Sequence, residues 1–239
     1  MVYLRKASAR GKVNLGWLDS KHSFSFGHYY DANHMGFSAL RVINDDVVQG
    51  GRGFETHGHR DMEIISYVVS GELKHKDNTG NEYIVPAGDI QVMSAGKGIM
   101  HSEFNPSADI PVNFLQIWIV PNQKGGDPSY AQKTVGKGDA AGSIVEVLVN
   151  QSGNNGALPI KQDAAISRIT LKSSDTLTLT TASRKGYLHV VSGEVTAKLA
   201  SEKETISLNS GDAIGLYINE TMLLSTPTNT VALWFDLPE

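Results

Sequence analysis

The chain has 239 residues, of which 40% are hydrophobic and 19% charged, with a formal net charge of −4 and no cysteine. Such a composition predicts a soluble globular protein with room for one large β domain or two smaller ones. Without cysteine there are no disulfides, thiolate metal sites or thiol nucleophiles, which fits a reducing cytoplasm, and the dispersed Lys and Arg form no basic surface for nucleic acid.

Read in chain order, the opening Met1–Lys6 has no apolar stretch long enough for a signal peptide. An aromatic stretch follows, in which His22, His28 and His34 are interleaved with Phe24, Phe26, Tyr29 and Tyr30; it reads as ordinary packing of amphipathic rings or as a wall over a ligand cavity. β-Branched and aromatic runs at 37–43, 64–69, 82–85, 112–120, 144–149, 166–171, 177–181, 187–191 and 231–235 predict short strands, punctuated by Gly, Pro, Asp and Asn. Asp127-Pro128 predicts one short helix, Asp capping it and Pro opening its first turn. The most apolar run, Phe114–Pro121, is too short to cross a bilayer and contains Gln116. Trp118 and Trp234 read as core, and His75 and His189 as exposed or cross-strand residues.

The pattern repeats. Val68-Val69-Ser70-Gly71-Glu72 recurs as Val190-Val191-Ser192-Gly193-Glu194, and Ala87-Gly88-Asp89 is echoed by Ser210-Gly211-Asp212 at nearly the same displacement. Two echoes at nearly one spacing indicate a duplicated β unit. The expected division is 1–125, a linker over 126–142, and 143–239.

The chemistry sits in the first half. His57-Gly58-His59 and His101-Ser102-Glu103 are i, i+2 pairs. Along a strand, i and i+2 side chains share a face about 6.6–6.8 Å apart, so each pair can converge on one metal ion. The same counting aims Glu63 at the site. Shifted by the repeat displacement, these positions fall on Leu179, Thr181 and the aliphatic run at Leu223-Leu224, so the second half is expected to repeat the scaffold without the ligands. No Gly-x-Ser-x-Gly, Walker-type or dinucleotide-binding glycine pattern is present.

Gly51, His57-x-His59, Glu63 and Gly71, then Gly80-x5-Pro86-x-Gly88, resemble the two motifs of the cupins, small jelly-roll β-barrels. The second motif normally carries a histidine where this chain has Gln91; His101-x3-Asn105 supplies the ending after an insertion. That displacement resembles the pirin family. So do Gly16-Trp17-Leu18-Asp19-Ser20, His22-Ser23-Phe24-Ser25-Phe26, Met35 to Asp46 and Met93-Ser94-Ala95-Gly96.

The resemblance implies an all-β bicupin, two tandem jelly-roll barrels, with His57, His59, His101 and Glu103 as metal ligands. Glu63 becomes a residue that orients an imidazole N–H. Three imidazoles and a carboxylate suit a divalent Fe, Mn, Ni or Zn ion. Bacterial pirins are associated with quercetin 2,3-dioxygenase activity, so the implied reaction is opening of a flavonol heterocycle by dioxygen. In it Glu103 accepts the 3-hydroxyl proton beside the metal, and Phe24, Phe26, Phe37 and Met93 are expected to line the cavity. A second reading is a metal- or redox-sensing regulator that binds a protein partner without turnover. A monomer is expected, with no membrane and no direct nucleic-acid contact.

Overall fold

The repeated Val-Val-Ser-Gly-Glu marks one turn made twice, in two units built alike. The computed structural model describes residues 2–136 and 142–239; residues 137–141 of the expected linker lie outside the described residues. The first unit comprises 11–136 with 151–162, and the second comprises the described parts of 1–10, 137–150 and 163–239. Among the described residues, no helix is long and apolar enough to cross a membrane.

The first unit begins with β2 (Gly11–Asn14), β3 (Leu18–His22) and β4 (Leu40–Val48), followed by β5 (Gly53–His59) and β6 (Glu63–Ser70). It continues through β7 (Glu72–Asp77), β8 (Glu82–Pro86), β9 (Ile90–Ser94), β10 (Ile99–Phe104), β11 (Val112–Ile119) and β12 (Ser129–Lys133), with β14 (Leu158–Pro159) in its later segment. One sheet has the order β12-β9-β6-β11-β4-β3-β2 and the other β5-β10-β7-β8. Leu18, Val48, Val68 and Phe114 of the large sheet pack with Leu73 and Val85 of the small one, the apolar filling of a sheet-on-sheet barrel. In place of the helix expected after Asp127-Pro128 there is a strand: β12 pairs antiparallel with β9, Tyr130 opposite Met93. Alternation in Ser129–Lys133 completes a sheet edge, which a single helical turn would leave unpaired.

The second unit starts from β1 (Val2–Arg5), with β13 (Ile144–Asn150), β15 (Ala165–Leu171), β16 (Thr176–Thr180), β17 (Lys185–Ser192) and β18 (Glu194–Leu199). It ends with β19 (Thr205–Asn209), β20 (Ala213–Leu216), β21 (Thr221–Ser225) and β22 (Thr230–Leu237). Strands run β1-β20-β17-β22-β15-β13 in its large sheet and β16-β21-β18-β19 in its small one. Element by element, β9, β6 and β11 correspond to β20, β17 and β22. The shared turn needs glycine for two reasons. Gly71 and Gly193 have φ of 76° and 88°, and a Cβ would meet Pro111 O at 2.8 Å and Thr230 Oγ1 at 2.5 Å.

The second echo explains itself in the same way. Asp89 accepts the Val135 N–H at 3.1 Å and the Thr134 hydroxyl at 3.1 Å. Asp212 accepts the Ala7 N–H at 2.7 Å and the Asn209 N–H at 3.0 Å, and pairs with Lys6 Nζ at 3.0 Å. Each Gly-Asp therefore anchors the segment beyond its unit's outermost strand. Burial alone would raise the Asp212 pKa, but its donors and Lys6 hold it below the usual carboxylate range. Asp212→Ala strands those donors and should destabilise the protein by about 1–3 kcal/mol in urea unfolding. With a folded pKa below the unfolded one, the anchor's contribution is present above pH ~4 and fades as pH falls through the folded value, so the wild-type–variant gap should narrow in acid.

Candidate metal centre

His57 and His59 stand on β5, and His101 and Glu103 on the neighbouring β10. The strands pair antiparallel with His101 opposite His57 and Ile99 opposite His59; beyond this the register slips, so that Glu103 faces Phe54. The extra residue is a β-bulge at Glu55-Thr56. It turns both of those side chains outward and returns Phe54 to the interior face, a change that simple alternation from the histidines does not foresee. Gly58, between the histidines, lies where a Cβ would be 2.9 Å from Met100 Sδ.

The three rings converge. Centroids are 4.7 Å apart for His57–His59, 4.5 Å for His57–His101 and 4.9 Å for His59–His101. One ring nitrogen from each lies within 4.8 Å of the other two. The His57 and His101 Nε2 atoms are 3.1 Å apart. His57 Nδ1 is 2.7 Å from the Glu55 carbonyl oxygen, which can only accept. Nδ1 thus carries the proton, and in the neutral ring Nε2 presents a lone pair to the cluster. Burial, with the neighbouring rings, lowers the His59 pKa to about 4 and the His101 pKa to about 3. Unprotonated imidazoles at close range, without sulfur, are a donor set that fits a divalent transition ion.

Glu103 is 1% exposed. Its Oε1 accepts from Gln91 Nε2 at 2.9 Å and lies 2.9 Å from the Ser66 hydroxyl; Oε2 accepts from Gln116 Nε2 at 2.6 Å. Neutral donors hold the carboxylate in orientation without neutralising it. At the 4.8 Å spacing Glu103 groups with His101 and His75, while His57 and His59 group with His101. His101 belongs to both sets. His75 is not exposed: it is cross-strand from Glu103, fully buried, and stacked on Tyr130 at 4.4 Å. Its Nε2 lies 3.1 Å from Asp77 Oδ2. Asp77 also accepts from the Thr79 N–H and hydroxyl and from the Asn81 N–H and amide, which together with His75 outweigh burial and depress its pKa.

The cluster opens into a cavity of about 470 Å³, within the range of small-molecule sites. Trp17, Phe26, Phe54 and Trp118 form its aromatic walls; His57, His59, Glu103 and Gln116 line the metal end, and Asn44 and Asp46 supply further polar groups. Of the four residues expected there, Phe26 is in the lining. Phe24 and Phe37 are buried away from it, and Met93 packs with Ile64, Ala95 and Ile99. Trp118 is half-buried, packing on one side against the Ile64–Met93–Ala95–Ile99 cluster and lining the cavity on the other; Trp234 is 9% exposed in the second unit's core. Glu63 lies away from the imidazoles, accepting a hydrogen bond from the Ser94 hydroxyl. The chain leaves β5 after His59, turns through Asp61 at φ 51° and enters the other sheet as β6, so parity counted through that corner carries no meaning. The sequence assigns no role in the site to Asn44, Asp46, Gln116, Gln91 or His75. The one visible signal was Gln91 at the usual cupin histidine position.

Two barrels with imidazoles and a buried carboxylate at the mouth of one define a bicupin whose candidate metal donors, among the described residues, all gather around His101. The pirin family profile matches residues 3–119, and that of the quercetinase C-terminal cupin domain matches 147–237. The chain is 42% identical over its full length, and 99% of the relative's, to a quercetin 2,3-dioxygenase of Escherichia coli K12. It is 44% identical to a pirin-like protein of Caulobacter vibrioides over 86% of both chains. The crystal structure of the bacterial pirin YhhW from Escherichia coli in complex with nickel(II) superposes with a TM-score of 0.91 at 41% identity, covering 100% of this chain and 99% of that one. The chain belongs to the pirin family.

Asp77→Ala removes the acceptor for His75 and for the Thr79–Asn81 turn. It should lower stability by roughly 2–4 kcal/mol, measured by thermal or urea unfolding, whereas Asp127→Ala, which breaks an exposed pair with Lys97, should change stability by less than about 0.5 kcal/mol.

Proposed function

We propose that this protein is a metal-dependent dioxygenase that opens the heterocycle of a flavonol such as quercetin, with His57, His59, His101 and Glu103 as the ligands of one divalent ion. The observation that carries the reading is the convergence of three imidazole nitrogens within 4.8 Å at the mouth of an aromatic cavity, with the clamped Glu103 adjoining His101. The relatives named quercetin 2,3-dioxygenase and the nickel complex of YhhW support it. So does the absence of any Lys or Arg from the cavity lining, which suits a neutral polyphenol.

When bound, the metal supplies Lewis acidity toward the flavonol 3-hydroxyl and a place for dioxygen. The chain's residues do the rest. Glu103 offers roughly four acceptor lone-pair sites, of which Gln91, Ser66 and Gln116 engage up to three. One remains for the ion or for the 3-hydroxyl proton, and the three neutral donors fix the direction in which it points. Trp17, Phe54, Phe26 and Trp118 exclude water and hold a planar ring system, which protects the electron-rich substrate anion until dioxygen arrives.

Metal uptake separates from turnover in two measurements. His101→Ala removes a residue common to both donor groups, so nickel(II) or iron(II) binding by calorimetry should fall at least about 100-fold with the fold retained. Quercetin bound anaerobically to metal-loaded wild-type protein and then exposed to oxygen should yield one carbon monoxide per flavonol consumed. No carbon monoxide from iron-, manganese-, nickel- and zinc-loaded protein would overturn the dioxygenase reading.

A further inference from the structure

The cavity contains polar atoms that neither the metal cluster nor the clamp on Glu103 uses. Asn44 and Asp46 are i, i+2 on β4 and project to the same side. Asn44 is opposite Gln116, and Asp46 opposite Phe114, in the β4–β11 register. Each is 3% exposed and each lines the cavity. Asp46 accepts a hydrogen bond from Ser20, but its Oδ1 has no partner among the described residues; nor have Asn44 Oδ1 and the Trp118 indole Nε1. Buried acceptors and donors left unpaired destabilise a fold, and native proteins retain them where something else completes the hydrogen bond.

We propose that Asn44 and Asp46 form a subsite that reads ring hydroxyl groups of the substrate, so that the preferred substrate is a polyhydroxylated aromatic rather than a bare flavonol or an anionic acid. This deepens the proposed reaction and rests on it for the identity of the ring system. Two carbonyl-type acceptors, spaced one strand pleat apart, call for two O–H donors. Gln116 joins this row to the reaction centre, because it lies across from Asn44 and donates to Glu103. Trp118 Nε1 adds a donor for an oxygen on the same ligand. Charge gives the same answer away from the ion: Asp46 and Glu103 line the cavity without a Lys or Arg, so the side chains around the ring-hydroxyl end offer no cation to pair with a carboxylate or phosphate on the ligand. Burial, opposed by Ser20, raises the Asp46 pKa to about 7, which makes this carboxyl a neutral hydrogen-bonding group more readily than an ordinary one.

The test compares quercetin with 3-hydroxyflavone, which keeps the reacting 3-hydroxyl and lacks the ring hydroxyls. Both are measured on metal-loaded protein, by anaerobic quenching of tryptophan fluorescence and by carbon monoxide release. Wild-type protein should bind quercetin at least about tenfold more tightly, because an unmet polar site discriminates against the ligand that cannot satisfy it. Asp46→Leu and Asn44→Ala should each cut that ratio several-fold, and Asp46→Asn, which keeps a carbonyl acceptor, should preserve most of it even if the leucine variant does not fold. Equal binding of the two flavonols by wild-type protein, or a ratio that both variants leave intact, overturns the subsite. A binding preference that collapses in the variants while no carbon monoxide is released supports the subsite and overturns the dioxygenase reading, so the two fail separately.

Discussion

The pairing of β5 with β10 is the constraint on which the centre depends. Both are short strands of the smaller sheet, and their antiparallel register puts His57 opposite His101. Side chains opposite one another across a ladder have Cβ atoms about 4.5–5.5 Å apart, which is close enough for ring nitrogens to meet. The bulge at Glu55-Thr56 then resets the inward face. Without it Glu55 would oppose Glu103, two carboxylates would share the interior, and Phe54 would be turned out of the aromatic wall. The bulge also leaves the Glu55 carbonyl where it fixes the His57 proton on Nδ1, so one backbone irregularity sets a ring tautomer, a carboxylate's surroundings and the shape of the cavity.

The second unit shows the same scaffold without that chemistry. Its β16 and β21 pair as β5 and β10 do, but they bring Leu179 opposite Met222, and these pack with Leu188, Ile214 and Leu224 in one apolar cluster. Burying aliphatic carbon stabilises by roughly 25 cal/mol per Å², whereas the first unit's rings and carboxylate must be kept uncharged or hydrogen-bonded to be tolerated inside. One copy of the duplicated unit therefore favours stability and the other a reactive interior, on closely corresponding strand orders.

What the sequence disclosed follows the reach of its rules. His57-x-His59 and His101-x-Glu103 were legible because alternation is a property of single strands, and the two Gly-centred echoes because a positive-φ turn admits few other residues. Glu63 was misplaced by carrying the same alternation past Asp61, where the chain changes sheets. Asn44 and Asp46 look like any polar residues on a strand. Their meaning comes from β11 on one side and the small sheet across the barrel, partners distant in sequence. His75 is similar, since only the β7–β10 register reveals that it is buried beside Glu103. Ser129–Lys133 became a strand because β9 offered an unpaired edge, information absent from Asp127-Pro128 itself.

The placement of β1 has an effect on how the molecule is made. Val2–Arg5 pairs with Ala213–Leu216, so residues that leave the ribosome early must wait for a partner made some 200 residues later. At translation speeds of about 5–20 residues per second that delay is roughly 10–40 s. Once β12 (Ser129–Lys133) is made, the first barrel has all the strands of its two sheets while the second still lacks its outermost pairing. β1 thus stays unpaired until β20 is made, and the last of the two barrels to close is the one whose interior is aliphatic.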